Sequence, residues 1–377
     1  MPSERVALDE AAGRISAAIV IAERPLPGFD NSAMDGFAAR SADLPATLPV
    51  AAHVAAGQMP APLQPGTAAR IMTGAPLPPG ADTVVMFEDA QDAGTQVTLP
   101  AARAGNNVRR AGEDIEISQP ALDAGQPFDW GAIALAAALG LTELQAARRP
   151  VVAIIATGDE LVDVATRPGP GQVVDSSAHA LAVQIAEAGG VPRYLGIARD
   201  RPADVRALVE RALGCDVVVT TGGVSAGDHD HVRAVLLSLG MSFDFWKVAM
   251  KPGKPFAAGL VGGVPVFALP GNPVSSLLVF ELFVRPAILT MLGAAHVDRP
   301  RAPVVLPAGY SKPPGRTHYL RASLTRDGER LVARPHSHQG SHMLTSLVGL
   351  DALVEIDAAL GELAPGATTS ALLLRAV

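Results

Sequence analysis

Apolar and polar positions follow different rules in different stretches of this chain. Residues 4 to 22 place Val6, Leu8, Ala12, Ile15 and Ile19 at mostly three- and four-residue intervals, which predicts an amphipathic helix ending before Pro25 and Pro27. GFDNSAMDGFAAR then reads as a polar loop turning at Asp35-Gly36. From residue 41 to about 122, short Val, Thr and Leu runs are divided by Pro and Gly, the pattern of a small β domain. A second helix is predicted from Asp129 to Leu139, with Asp129 as its cap and Gly140 as its stop. If the two helices pack together, the β segment is an insertion within one helical domain.

From Pro150 buried strands alternate with helices. VVAIIATGDE, YLGIA and CDVVVTTGGVS read as strands, and FAAGLVGGVPVFALPG supplies two more. Helices are predicted over 176–188, 202–213 and HVRAVLLSLG, and over NPVSSLLVFELFVRPAIL with an interruption near Pro286. That alternation predicts a doubly wound α/β domain. Residues 301–377 return to short alternating runs, a four- or five-stranded β domain with a hairpin at Arg326-Asp327-Gly328-Glu329. The expected fold is multidomain α/β. Its parts are a helical domain (1–40 and 123–149), an inserted β domain (41–122), the α/β domain (150–295) and a C-terminal β domain (296–377).

A length of 377 residues exceeds one ordinary core and is consistent with several domains. A net charge of -7 argues against a nucleic-acid or anionic-membrane surface. Cys215 is the single cysteine, which excludes an intrachain disulfide and a cysteine-rich metal site. No secretory apolar core follows the first residues, and a soluble cytoplasmic protein is the expectation.

The chemistry concentrates after VVVTTGGVS. A strand running into Gly222-Gly223 and Ser225, followed by a helix start, presents free N–H groups suited to an anion. Asp228 and Asp230 in the same place would repel that anion unless a cation lay between them, so Mg²⁺ is expected. Other loops after predicted strands carry Asp159 and Glu160, the lysines Lys247, Lys251 and Lys254, and the sequence LPGNPVSS. Asp175 and Asp200 are further candidate carboxylates, with a helix cap or surface charge as the ordinary alternative for each. In an open α/β sheet such loops converge on a ligand. Thr73-Gly74 and Arg109-Arg110 form a second polar group within the β insert. His336, His338 and His342 do not have the spacing of a helical zinc motif and read as an exposed loop.

Together SAMDGFA, IMTGAPLPPGADTVV, VRRAGEDI, ATGDEL, TTGGVSAGDHD, WKVAMKPGKPFAAG, LPGNPVSS and RPHSHQGSHMLTSL resemble the molybdopterin molybdenumtransferase family, related also to the carboxy-terminal domain of gephyrin. The resemblance spans nearly the whole chain. It implies a C-terminal β barrel and an elongated homodimer whose site is shared between subunits. It implies insertion of molybdate into adenylylated molybdopterin with Mg²⁺-dependent release of AMP. Asp35, Thr73 and Arg109 would form the insert side of that site, and Glu160, Asp200, Asp230, Lys247 and Lys251 the α/β side, with Glu160 and Asp230 holding Mg²⁺. Pro270, Gly271, Asn272 and Pro273 would shape the pocket, and Ser341 its approach from the last domain. An adenylyltransferase upstream and molybdoenzymes downstream are the implied partners. Ala156 replaces the family's usual Ser, which predicts altered affinity rather than lost chemistry. The alternatives are a molybdopterin adenylyltransferase, which would act on molybdopterin and ATP unaided, and a non-catalytic pterin-binding scaffold.

Overall fold

The computed structural model describes residues 1–224 and 231–375. They form two compact bodies, one built from residues 5–146 and one from residues 1–4 and 147–377.

In the first body six strands pair in one sheet, in the order Thr83–Met86, Gly36–Ala39, Ala68–Ile71, Ala46–Val54, Gln96–Leu99, Gln91–Asp92. Its two faces bury separate apolar clusters, one around Phe37, Leu48 and Leu99 and the other around Val54, Ile71 and Val84. Gly36–Ala39 lies inside this sheet, so strand structure begins before residue 41. The helix predicted over residues 4–22 is not present. That stretch is a strand at Ser3–Ala7, one 3-10 turn at Leu8–Glu10 and a two-residue strand at Val20–Ile21. Gly13 takes a positive φ of 73°, which breaks any continuous helix there, and Ile19 is 53% exposed rather than on a buried face. Val6 and Ala11 still reach a core, packed with Phe128, Ala136 and Leu144, but from a short strand and the end of the 3-10 turn. The predicted second helix is found at Trp130–Ala138, and the Asp129 side chain accepts a hydrogen bond from the Ala132 N–H at 2.8 Å.

In the second body we label the elements β1 (Val151–Thr157), α1 (Ser177–Glu187), β2 (Val191–Ala198), α2 (Pro202–Ala212), β3 (Val217–Thr221) and α3 (His231–Ser238). They continue with β4 (Ser242–Trp246), β5 (Met250–Lys251), β6 (Ala257–Val261), β7 (Val264–Leu269) and α4 (Pro273–Val279). The sheet order is β2-β1-β3-β7-β6-β4, with the first four strands parallel, β6 antiparallel to β7, and β4 antiparallel to β6. β1 and β3 are almost wholly buried, the mark of strands covered on both faces. α1 and α4 cover one face, while α2 and α3 pack on the other over Val205, Val209, Val235 and Leu236. The doubly wound domain expected from the sequence is therefore present.

α4 runs on through a π-helical segment, Phe280–Val284, into the helix Arg285–Met291. Pro286 has no N–H to continue an α ladder, and the wider turn lies just ahead of it. This 19-residue run has the length and hydropathy of a membrane span, yet 61% of it is buried, and Val274 and Leu278 pack against Leu350, Leu353 and Leu372. It is a core helix.

The last strands are β8 (Arg301–Leu306), β9 (Thr317–Asp327), β10 (Arg330–Pro335), β11 (Ala352–Ile356) and β12 (Ala367–Leu373). They close into a five-stranded barrel through the pairings β9-β10-β8-β12-β11 and back to β9. The predicted hairpin is there, with Asp327 facing Arg330 across Gly328-Glu329. β5 joins this barrel sheet as a parallel partner of β9, so a loop of the α/β domain is stitched to the barrel edge.

Candidate functional site

β1 is followed in sequence by β2 on one side of it, and β3 lies on its other side. The chain therefore reverses direction across the sheet between β1 and β3, where a crevice opens at the strand ends. The crevice is a cleft of ≈ 850 Å³, within the range of small-molecule sites. Its floor is glycine because nothing larger fits. A Cβ on Gly222, whose φ is +94°, would lie 2.6 Å from the Thr157 carbonyl oxygen, and one on Gly223 would lie 2.5 Å from Val232. The Gly222 N–H donates to Leu269 O at 3.1 Å, tying the turn after β3 to the end of β7. Ala156 is fully buried in β1, and Thr157 is the residue of that strand that reaches the cleft.

Most of the predicted α/β residues meet here. Glu160, Asp200, Gly222, Gly223, Pro270, Gly271, Asn272 and Pro273 all line the cleft. Ser225, Asp228 and Asp230 lie outside the described residues. The Glu160 carboxylate folds over Gly158, where an added Cβ would stand 2.6 Å from its Oε2. Asp159 and Asp200 lock their loops together. The Asp159 N–H donates to the Asp200 carboxylate at 3.3 Å, and the Asp200 N–H donates to that of Asp159 at 3.1 Å. Arg199 spends its guanidinium on the carbonyls of Asp159 and Leu161, at 3.0 and 3.2 Å, and forms no ion pair with Asp200. Glu160 and Asp200 thus keep acceptor capacity directed at a ligand.

Asp175 lines the same cleft but is already engaged. It is 3% exposed, accepts the Ala178 N–H at the start of α1 at 3.1 Å and accepts the Tyr194 hydroxyl at 3.0 Å. Burial first, then the Asp175 charge, pushes the Tyr194 phenol well above its ordinary range. Asp175 therefore takes the cap role.

Lys247, Lys251 and Lys254 are exposed on the 247–256 loop, of which Pro255 is the member in the described cleft lining. Backbone bonds close this loop: Lys247 N–H to Phe256 O at 2.9 Å and Val248 N–H to Lys254 O at 3.0 Å. β5 then places Lys251 opposite His318 of the barrel. Burial chiefly, then the charges of Lys251, Lys312 and Arg316, holds the His318 imidazole neutral, with its pKa lowered to about 4. The surroundings of Lys251 are consequently rich in positive charge.

Asp35, Thr73 and Arg109 belong to the other compact body, where Asp35 and Thr73 are in contact. The Thr73 N–H and hydroxyl both donate to Asp35 Oδ1, at 2.6 and 2.8 Å, and these bonds hold the Asp35 carboxyl below its usual pKa. Arg109 pairs with Asn31 on the adjoining ribbon, where Asp30 receives the Arg110 guanidinium at 2.5 Å. Arg109 is thus joined to the short strand Asn31–Ser32, which precedes Asp35 in the chain.

The loop between β10 and β11, from which Ser341 is expected to approach the pocket, reaches the cleft through the neighbours of that residue. Its Ser341 carbonyl accepts the Val274 N–H of α4 at 3.1 Å, and its His342 and Leu344 form the barrel's part of the cleft wall. Among the described residues no cluster of three or more His, Cys, Asp or Glu gathers as a metal cage. Both ring nitrogens of His336 are instead held by Ser323 Oγ (2.9 Å) and Ser346 O (2.7 Å).

Comparison with known proteins places this geometry in a family. The family model of the MoeA N-terminal region (domain I and II) matches residues 1–140, that of the probable molybdopterin binding domain residues 153–290, and that of the MoeA C-terminal region (domain IV) residues 303–374. Molybdopterin molybdenumtransferase 2 of Mycobacterium tuberculosis is 38% identical over 96% of this chain and 92% of its own length. The molybdopterin molybdenumtransferase of Bacillus subtilis is 35% identical over 99% and 90%. The crystal structure of a molybdopterin biosynthesis MoeA protein from Pyrococcus horikoshii superimposes with a TM-score of 0.85 at 32% identity, covering 100% of this chain and 95% of that one. With its strand-end cleft intact and relatives matched from end to end, the chain belongs to the molybdopterin molybdenumtransferase family.

Proposed function

We propose that this enzyme transfers molybdenum from molybdate to molybdopterin, taking the pterin as its adenylylated form and releasing AMP in a Mg²⁺-dependent step. The observation that carries the reading is the cleft between β1 and β3, where Glu160 and Asp200 stand over a glycine floor that admits a ligand's phosphates to backbone N–H groups. The donor set fits Mg²⁺, a hard cation that takes one or two carboxylates and keeps its waters. Glu160, with Asp230, would hold it, and it would neutralise charge on the phosphate link. Asp200 would orient bound water or substrate. Lys247 and Lys251 would hold the incoming oxyanion as point charges within a region already positive around His318.

The reading extends to a cytoplasmic homodimer in which Asp35, Thr73 and Arg109 of one subunit complete the cleft of the other. An adenylyltransferase would supply its substrate and molybdoenzymes would receive its product. The decisive experiment supplies adenylylated molybdopterin, Mg²⁺ and molybdate, omits each in turn, and follows AMP. Loss of AMP release on omitting any one supports the reading. Release that ignores molybdate contradicts it, and adenylylation of free molybdopterin from ATP would identify an adenylyltransferase instead.

A further inference from the structure

The loop from His336 to Ser346 is fixed far more firmly than an exposed polar connection requires. The Gln339 carboxamide embraces the backbone of Arg321: the Arg321 N–H donates to Oε1 at 3.1 Å, and Nε2 donates to the carbonyls of Arg321 (2.9 Å) and His336 (3.0 Å). The fully buried Arg321 guanidinium donates from Nη2 to His338 O and Gly340 O, both at 3.2 Å. With the two bonds of the His336 ring and the Ser341 contact to α4, the loop is anchored on both flanks of His342. Ordering a loop tip opposes its conformational entropy, and rigid support of this kind is characteristic of residues that must be held in place for a ligand.

His342 itself is exposed, lines the cleft and makes no side-chain hydrogen bond among the described residues. The described lining carries three carboxylates, those of Glu160, Asp175 and Asp200, and His342 is its one aromatic and one basic side chain. A phosphate-bearing ligand in a cleft whose described lining is otherwise acidic needs a donor among the lining residues. We infer that His342 is a substrate-binding residue whose ring N–H donates to the ligand's phosphate, and that Gln339 is the positioning residue that keeps it there. This rests on the reading of the cleft as a pterin-nucleotide site, and its test separates the two.

The test measures KM and kcat for adenylylated molybdopterin in the wild type, H342A, H342Q, H342F, Q339A and H342A/Q339A. In parallel, the affinity of AMP alone is measured calorimetrically for the wild type and H342A. H342A should raise KM about tenfold with kcat within about twofold, the size expected for one hydrogen bond to a charged group. H342Q, which keeps an N–H donor, should recover most of that loss, whereas H342F should not. Q339A should raise KM less than H342A does, and the double variant should be no worse than H342A, because the two act through one contact. An unchanged KM in H342A, recovery by H342F equal to that by H342Q, or additive effects of the two changes would each overturn the inference. If the wild type releases no AMP, the pterin reading fails, and the AMP titration still decides: a tenfold weaker affinity in H342A upholds the role of His342, while equal affinity, or no binding by the wild type, removes it.

Discussion

Asp35 and Asp30 on one body, and Glu160 and Asp200 on the other, are loop carboxylates held in opposite ways. The first pair is satisfied locally: Thr73 gives Asp35 two donors, and Asp30 takes the Ala111 N–H and the Arg110 guanidinium. The cleft carboxylates receive little by comparison. Asp200 accepts one long bond from the Asp159 N–H, and Glu160 lies over Gly158. The lesson is that a carboxylate surrounded by its own donors shapes a loop, while one left with open acceptor positions is available to a cation or substrate.

The largest effects should come from the open groups. E160Q, D200N and K251A should each lower molybdate-dependent AMP release by about 10²-fold, since preorganised charged groups of this kind carry losses of that order. Glu160 and Asp200 lie on loops and the Lys251 side chain is exposed at the end of β5, so thermal unfolding should move little. A variant that lost stability in proportion to activity would erase the distinction between shaping and binding carboxylates. Complementation sharpens the same point: mixed dimers of R109A and E160Q subunits should regain activity that neither has alone, because one of their two sites would be intact. Failure to complement would remove the shared-site proposal.

Smaller effects concern stability. G222A should destabilise the fold by about 1–3 kcal/mol, the range for strained backbone and overpacking, with chemical denaturation as the measurement. D175A should lower stability by about 1–2 kcal/mol, as loss of a helix cap does, and should affect activity far less than D200N although both residues line one cleft. The smallest effect is pH-dependent. The folded-state pKa values of Asp30 and Asp35 are depressed by their donors. Their stabilising contribution is therefore present above the unfolded value of about 3.9 and is lost as pH falls through the folded values. The Tm gap between the wild type and D30A/D35A should be open at pH 7 and should close in acid below about pH 4.

Much of this architecture was legible because burial writes itself into sequence. Val217–Thr221 and Val151–Thr157 are continuous apolar or β-branched runs because both sheet faces are covered, and the glycines after them mark the cleft floor. Asp129 and Gly140 announced their helix by cap chemistry. Residues 4–22 misled because a few apolar residues three or four apart also arise when a short strand and a turn dip into a core, as at Val6 and Ala11. β5 is only two residues long and its pairing partners, Thr317 for Met250 and His318 for Lys251, lie far along the chain, so no local pattern could reveal that pairing. The anchoring of His342 was hidden likewise, since the partners Arg321 and Gln339 meet only after the barrel closes.

The seam between β5 and β9 has a dynamic consequence. The Thr317 amide proton is donated to the Ala249 carbonyl, just ahead of the Met250-Lys251 pair that forms β5. Its exchange with deuterated solvent requires that bond to open, so its protection reports how tightly the lysine loop is fastened. If β5 separates only when the barrel unfolds, this amide should exchange as slowly as those at the centre of β9. The disposition of the ammonium groups then lasts as long as the native state of the terminal domain.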